Sequence, residues 1–343
     1  MLKSLLNMNP KEVLIVTESG HDVGLGHLSR CIGFSDAFQE VGLPNEFIVN
    51  GENRLEEFIK DKNFKIFDWL KEPEKLYRLI NKSDVVLVDS YLAGIDVYNK
   101  ISNLAGLLVS VDDYNRLDYP SGIIVNGTLN FSPKDYSFNT SLKLLVGVNY
   151  QALRKEFWSV GTKEINENME NILITIGGSD VRNLTPNILQ ILSKTFPGLK
   201  KTVIVDESFT NLRRIEEKSD RLTELIFHVH AKDMLKKMQE TDIAISAGGQ
   251  ALYEFARVGT PALVIGVAEN QLNNIEGWSS VGFIEYLGFW DDPAWTEKLV
   301  LGIRKLKETQ VRQKKSAIGQ KLVDGQGCRR VVKIVLESLA NED

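Results

Sequence analysis

Cysteine is nearly absent: the chain has two, Cys31 and Cys328, in 343 residues. Both fall in helical patterns far apart in sequence, so no disulfide framework is expected and a reducing, cytoplasmic setting is. Histidine is scarce too. None of His21, His27, His228 and His230 stands in a Cys/His pattern with metal-ligand spacing, so a structural zinc is not expected and no metal site is assigned. No apolar run approaches bilayer length, so no membrane partner is expected. Residues 1–10 lack a proper apolar core and a small-residue cleavage site, and read as a tail rather than a leader. Charge of one sign is missing as well: 41 Lys and Arg face 46 Asp and Glu, for a net of -5. Without a basic stripe, nucleic acid is not an expected partner.

What is present is a soluble globular composition, 43% hydrophobic and 25% charged, at a length suited to two domains. Residues 12–18 (E-V-L-I-V-T-E) read as a strand. The run S-G-H-D-V-G-L-G-H-L-S-R-C follows, and Leu28, Cys31, Ile32, Ala37, Phe38 and Val41 mark an amphipathic helix ending at Gly42. Gly24 and Gly26 permit close backbone approach where this helix opens. Ser29 holds the place of the third glycine of a dinucleotide fingerprint, so NAD is set aside and no cofactor is expected. His27 sits at the helix start, where an imidazole can exchange a proton near neutral pH.

Further strands are expected at 44–50, 84–89, 106–111, 123–125 and 142–146, with helices at 52–62 and 93–105. The 84–89 strand, D-V-V-L-V-D, ends in the polar tip Asp89-Ser90-Tyr91. The paired carboxylates Asp112-Asp113 can signal metal or acid/base work, but before Tyr114-Asn115-Arg116 they read as a turn with a local ion pair. The pattern loosens after Tyr150, and a linker is expected near 161–168. A second start follows: a strand at 171–176, then Gly177-Gly178-Ser179-Asp180, then a helix at 184–195. Strands at 201–205, 225–229, 242–246 and 262–266 continue it. In L-I-F-H-V-H, alternation puts His228 and His230 on one strand face. Strands alternating with helices in both halves imply an α/β fold of parallel βαβ units. Domains are expected over 11–160 and 169–325. Residues 326–343 form a terminal helix with an apolar stripe of Val331, Val332, Val335, Leu336 and Leu339, packing back on the first domain. A charged helix over 297–322 reads as solvated surface.

The most informative stretch is 243–271, strand, Gly248-Gly249 turn, short helix, strand. A glycine turn that opens a helix offers N–H groups and a dipole end suited to phosphate. Glu254, a turn further on, suits ribose hydroxyls, and Ala268-Glu269-Asn270-Gln271 places polar groups at a strand's carboxyl end.

Five pieces in order resemble one family: G-L-G-H-L-S-R-C (24–31), V-D-S-Y (88–91), Y-Q-A-L-R-K-E-F (150–157), I-G-G-S-D (176–180), and A-G-G with its downstream A-E-N-Q. From about residue 13 to 339 the chain resembles the UDP-2,4-diacetamido-2,4,6-trideoxy-β-L-altropyranose hydrolases of pseudaminic acid biosynthesis. More distantly it is similar to the UDP-sugar glycosyltransferases of peptidoglycan precursor synthesis. The resemblance implies two Rossmann-like domains of the glycosyltransferase B type, with an active site in the inter-domain cleft. It implies a UDP-sugar substrate and metal-independent attack of water on the anomeric carbon with inversion. On this resemblance His27 is the general base, and Tyr91 and Asn270 hold the water or the sugar. Val229 meets uracil through its backbone, Glu254 meets the ribose, and Gly248, Gly249 and Gln250 meet the diphosphate. Gly24, Gly26, Arg30, Arg154, Gly178, Ser179, Asp180, Glu269 and Gln271 join them as substrate-binding residues.

One departure stands out. The family carries Ser/Thr hydroxyls after the Gly-Gly and a tryptophan before the glutamate, whereas this chain has Gln250, Ala251, Leu252 and Tyr253. The alternative readings are a glycosyltransferase of the same fold, in which His27 deprotonates an acceptor hydroxyl, and a nucleotide-sugar binding protein without turnover.

Overall fold

The computed structural model describes residues 12–20, 26–51, 56–136, 141–206, 209–227 and 229–340. The expected tail at 1–10, His21, Gly24, His228 and the start of the 52–62 helix lie outside these residues. Contacts divide the chain into two compact units, Met1–Lys155 with Gly325–Asp343, and Glu156–Asp324.

The first unit carries β1 (Val13–Glu18), β2 (Asn45–Asn50), β3 (Asn63–Ile66), β4 (Val85–Asp89), β5 (Leu107–Val111), β6 (Gly122–Asn126) and β7 (Leu142–Val146). They form one sheet in the order β3-β2-β1-β4-β5-β6-β7, with every neighbouring pair parallel. β1 (V-L-I-V-T-E) and β4 (V-V-L-V-D) are buried at every residue. Such continuous apolar runs mark strands covered on both faces. Helix Gly26–Glu40 packs on β1 and against the terminal helix Gly327–Leu339. That terminal helix buries Val331, Val332, Val335 and Leu336, while Leu339 is half-buried.

The strap around Gln151 explains one sequence motif. A Cβ on Gly33 would lie 2.4 Å from the Leu153 carbonyl oxygen, and one on Gly327 would lie 2.0 Å from that of Gln151. Two helices thus meet the Y-Q-A-L-R backbone with no room for a side chain. Cys328 is sealed in the same seam, where burial pushes its thiol pKa up to about 12. Arg154 is half-buried at the end of this strap.

The second unit carries β8 (Asn171–Thr175), β9 (Lys200–Ile204), β10 (Thr223–Ile226), β11 (Ile243–Ala247), β12 (Ala262–Gly266) and β13 (Ile284–Phe289). Their order is β10-β9-β8-β11-β12-β13, again all parallel. The expected α/β class therefore holds in both units, each a Rossmann-like sheet.

Several expectations need correction. The 297–322 helix is two helices, Trp295–Leu306 and Thr309–Leu322, broken where Glu308 turns to extended backbone at ψ 118°. Nor is it simply a wet face. Leu299, Ile303 and Leu306 join the core. Arg312 is fully buried and donates to the carbonyls of Leu306, Asn166 and Glu167. β10 ends at Ile226, so His230 is not a strand residue; it is the N-cap of helix Ala231–Glu240. β3 and β13 are edge strands that the periodicity did not announce, β3 alternating only between exposed and half-buried residues. Among the described residues no helix is long and apolar enough to cross a membrane.

Candidate functional site

Strand order reverses between β1 and β4 in the first sheet and between β8 and β11 in the second. Open parallel sheets bind ligands outside the carboxyl ends of strands at such reversals. Both groups of candidate residues lie there.

In the first unit, β1 is followed by the helix that opens at Gly26-His27, and β4 delivers Asp89-Ser90-Tyr91. His27 is 4% exposed, and its Nδ1 lies 2.8 Å from Asp89 Oδ1. Asp89 is fully buried. It accepts Arg30 Nε at 2.5 Å on one oxygen and Arg30 Nη2 at 2.6 Å on the other. Burial by itself would raise the Asp89 pKa, but Arg30 foremost and then His27 outweigh it and hold the carboxyl well below its usual range. An ionised Asp89 keeps the proton on Nδ1, which leaves the lone pair on Nε2. That Nε2 is buried and has no hydrogen-bond partner among the described residues.

Arg30 continues the network. Its Nη1 donates to both oxygens of Asp113 at 2.7 and 2.8 Å, and the Tyr91 hydroxyl donates to the same carboxylate. The Tyr91 ring stands edge-on to His27, with centroids 4.2 Å apart at 89°. Burial and then the Asp113 charge push the Tyr91 phenol far above its ordinary pKa, so it stays a neutral donor. Glu18, closing β1, fixes the loop that carries Tyr91: its carboxylate accepts Ser90 Oγ at 2.5 Å and the amides of Tyr91 and Leu92 at 2.6 and 3.1 Å.

The Asp112-Asp113 expectation is corrected by this geometry. The turn is present, since Asp112 accepts the amides of Asn115 and Arg116. The ion pair is not local: Asp113 pairs with Arg30, 83 residues away.

In the second unit, Gly248-Gly249 follows β11 and opens helix Ala251–Val258. Gln271 Oε1 accepts the amides of both Gly248 and Val267, at 3.1 and 3.2 Å. Asn274 Nδ2 donates to the Gly248 carbonyl at 2.8 Å, and Tyr253 Oη donates to Asn274 Oδ1 at 2.5 Å. Gly248 is tightly enclosed: a Cβ there would come within 2.5 Å of Ile275 and 3.1 Å of Gln271. Above Gly249 the space is open, with Gln271 Nε2 nearest at 4.0 Å. The turn is thus clamped from beneath and bare on top, as close approach of a ligand requires.

The loop after β8 turns through left-handed backbone at Gly177 (φ 90°), Asp180 (φ 39°) and Asn183 (φ 57°). Gly178 is exposed and Ser179 half-buried. Asp180 is 4% exposed, and its carboxylate is spent on the amides of Leu184 and Thr185 and on Asn211 Nδ2. It shapes the loop and caps helix Leu184–Thr195. Glu254 is buried, Val229 is half-buried before the His230 cap, Gln250 is half-buried at the helix start, and Glu269 and Asn270 are exposed on the turn Glu269–Gln271.

The structure therefore brings together His27, Arg30 and Tyr91 in one unit, and Gly248, Gly249 and Gln271 in the other. From the sequence alone no site role falls to Asp89, Asp113, Glu18 or Asn274. Asp89 and Glu18 carried a signal, an acid closing a fully apolar strand at its carboxyl end. Asp113 showed only as half of an acid pair and Asn274 carried no signal, since their partners are distant in the chain. Among the described residues no group of three or more His, Cys, Asp or Glu side chains is arranged to hold a metal ion.

No protein-family model matches the chain. It is 26% identical over 271 residues to an uncharacterized protein of Methanocaldococcus jannaschii, covering 74% of this chain and 55% of that one. It is 23% identical over 294 residues to the pseudaminic acid cytidylyltransferase and UDP-2,4-diacetamido-2,4,6-trideoxy-beta-L-altropyranose hydrolase of Helicobacter pylori, covering 81% of this chain and 51% of that one. The chain thus spans about half the length of these two relatives. A Campylobacter jejuni protein named UDP-2,4-diacetamido-2,4,6-trideoxy-beta-L-altropyranose hydrolase is 23% identical over 290 residues, 80% of this chain and 99% of that one. Among solved structures, Staphylococcus aureus MnaA with UDP superposes with a TM-score of 0.71 at 12% identity, over 96% of this chain and 97% of that one. UDP-GlcNAc 2-epimerase from Neisseria meningitidis bound to UDP-GlcNAc gives 0.68 at 13% identity, over 95% and 100%. With its two parallel α/β sheets, the chain has the glycosyltransferase B type of fold that these structures share.

Proposed function

We propose that the protein hydrolyses a UDP-linked 2,4-diacetamido-2,4,6-trideoxyhexose to UDP and free sugar, with inversion at the anomeric carbon. The observation that carries this reading is the buried His27 Nε2, without a partner among the described residues while Asp89 holds Nδ1. A base needs a free lone pair, a fixed tautomer and a counter-charge for the proton it gains, and His27 has all three. Asp89 and Asp113 together carry one more negative charge than Arg30 balances, so protonation of His27 neutralises the cluster. Water forms the new bond to the anomeric carbon, its proton passes to Nε2, and the bond to the diphosphate oxygen breaks with its electrons leaving on UDP. Tyr91, its O–H committed to Asp113, holds the water or the sugar through its hydroxyl oxygen as acceptor; Asn270 holds them from its exposed turn. Gly248, Gly249 and the helix they open meet the diphosphate, Glu254 the ribose, and the backbone at Val229 the base. The names of the relatives that match over four-fifths of this chain support the substrate class.

The test is UDP release from UDP-2,4-diacetamido-2,4,6-trideoxy-β-L-altrose with chelator present and no acceptor, followed by proton NMR. Free sugar appearing first as the inverted anomer is the expected result. His27→Ala is expected to abolish release while retaining UDP binding. Turnover in that variant would refute the mechanism. An intact substrate that is consumed only when an acceptor is added would assign the transferase chemistry instead.

A further inference from the structure

We infer that Arg182 is a diphosphate-binding residue, held in place by Trp290 and by the backbone at Val267. The inference rests on the nucleotide-sugar reading and adds to it a charge that the recognised motifs do not contain. Arg182 lies on the loop that follows β8, two residues beyond Asp180, and is exposed. Its guanidinium lies over the Trp290 ring, 4.3 Å from the centroid. Its Nε donates to the Val267 carbonyl at 3.3 Å. The side chain therefore reaches from the end of β8 to the ends of β12 and β13. β11, with its Gly248-Gly249 turn, lies between β8 and β12 in the sheet.

The location follows from shared bonds. The Val267 and Gly248 amides meet on the same Gln271 oxygen. The carbonyl that anchors Arg182 thus belongs to the residue whose amide is clamped beside that of Gly248. Stacking and the Nε bond fix the plane of the guanidinium and leave both Nη groups to bind. No carboxylate among the described residues pairs with Arg182. Asp180, the nearest acid in its loop, is spent on Leu184, Thr185 and Asn211, and Asp292, two residues beyond Trp290, pairs with Lys298.

A fixed, unneutralised guanidinium beside a bare glycine turn suits a group carrying two or more negative charges in bidentate geometry. It also answers the departure in the sequence, where Gln250, Ala251 and Leu252 stand in place of hydroxyl donors. When the anomeric bond breaks, the added negative charge appears on the departing phosphate, and Arg182 meets it there.

The experiment is calorimetric titration of the full chain with UDP and with uridine, for wild type, Arg182→Ala and Arg182→Lys, each checked by thermal melting. Wild type is expected to bind both ligands. Arg182→Ala is expected to lose about 10- to 100-fold in UDP affinity, in line with a charge-assisted hydrogen bond, and to keep uridine affinity. Arg182→Lys is expected to fall between, since it restores charge without the fork. Equal UDP affinity in wild type and Arg182→Ala would overturn the assignment, as would an equal loss of uridine binding. If wild type binds neither ligand, the nucleotide reading itself fails and the role of Arg182 falls with it.

Discussion

Asparagine at position 89 changes almost no volume and removes one buried charge. Three consequences can be worked out. Arg30 loses two of its four carboxylate contacts and keeps those to Asp113. His27 Nδ1 loses its anionic acceptor, and an asparagine amide facing it favours the tautomer with the proton on Nε2, which is no longer a base. The imidazolium formed in the reaction also loses its counter-charge. General-base catalysis contributes about 100- to 10,000-fold, so kcat for Asp89→Asn is expected to fall by that amount while UDP affinity is unchanged. Breaking a buried pair costs about 3–5 kcal/mol when a lone charge remains. Because Asp113 still faces Arg30, the lower end applies, and a unit of this size is expected to lose about 6–12 °C in melting temperature.

The pH dependence supplies a second reading of the same variant. The folded Asp89 pKa is depressed, so its stabilisation is complete above the unfolded value of about 3.9 and is lost as pH falls toward the folded one. The melting temperatures of wild type and Asp89→Asn are therefore expected to converge below about pH 4. Turnover is measured by UDP release, stability by circular dichroism. A variant that keeps wild-type turnover, or a melting gap that does not narrow in acid, would refute the argument.

Four other substitutions separate parts of the scheme. Asp113→Asn leaves the His27–Asp89 pair intact but removes the charge that anchors the Tyr91 hydroxyl, so kcat is expected to drop about 10-fold, the low side of a positioned hydrogen bond, as read by UDP release. Gly249→Val fills the open side of the turn and is expected to abolish UDP binding in calorimetry at near-normal melting temperature, whereas Gly248→Ala meets Ile275 and Gln271 and is expected to cost about 1–3 kcal/mol of stability by overpacking. Arg312→Ala strands the carbonyls of Leu306, Asn166 and Glu167, each losing a bond to a charged donor, and is expected to destabilise the second unit by about 3 kcal/mol in denaturant melts.

The sequence by itself determined the alternation of buried strands and amphipathic helices, and with it the α/β class. Period and burial are local properties: V-L-I-V-T-E, V-V-L-V-D and A-L-V-I-G can be read without knowing what lies beside them. It also displayed the glycine turns, His27 at a helix start, and the motif order that points to a UDP-sugar. The tertiary structure decided everything that depends on pairing across the sheet. Asp89 was visible as a polar strand tip, but only the adjacency of β1 and β4 puts it on His27. Arg30 and Asp113 are 83 residues apart and join because β1, β4 and β5 lie side by side, so the helix after β1 and the loop after β5 meet at the same end of the sheet. The same holds for Gln271 clamping Gly248 and for Arg182 lying on Trp290. It holds again for Arg312, charged in sequence yet buried among carbonyls that only the packed helices present. A side chain's partner is set by strand order and helix packing, and neither is a property of neighbouring letters in the chain.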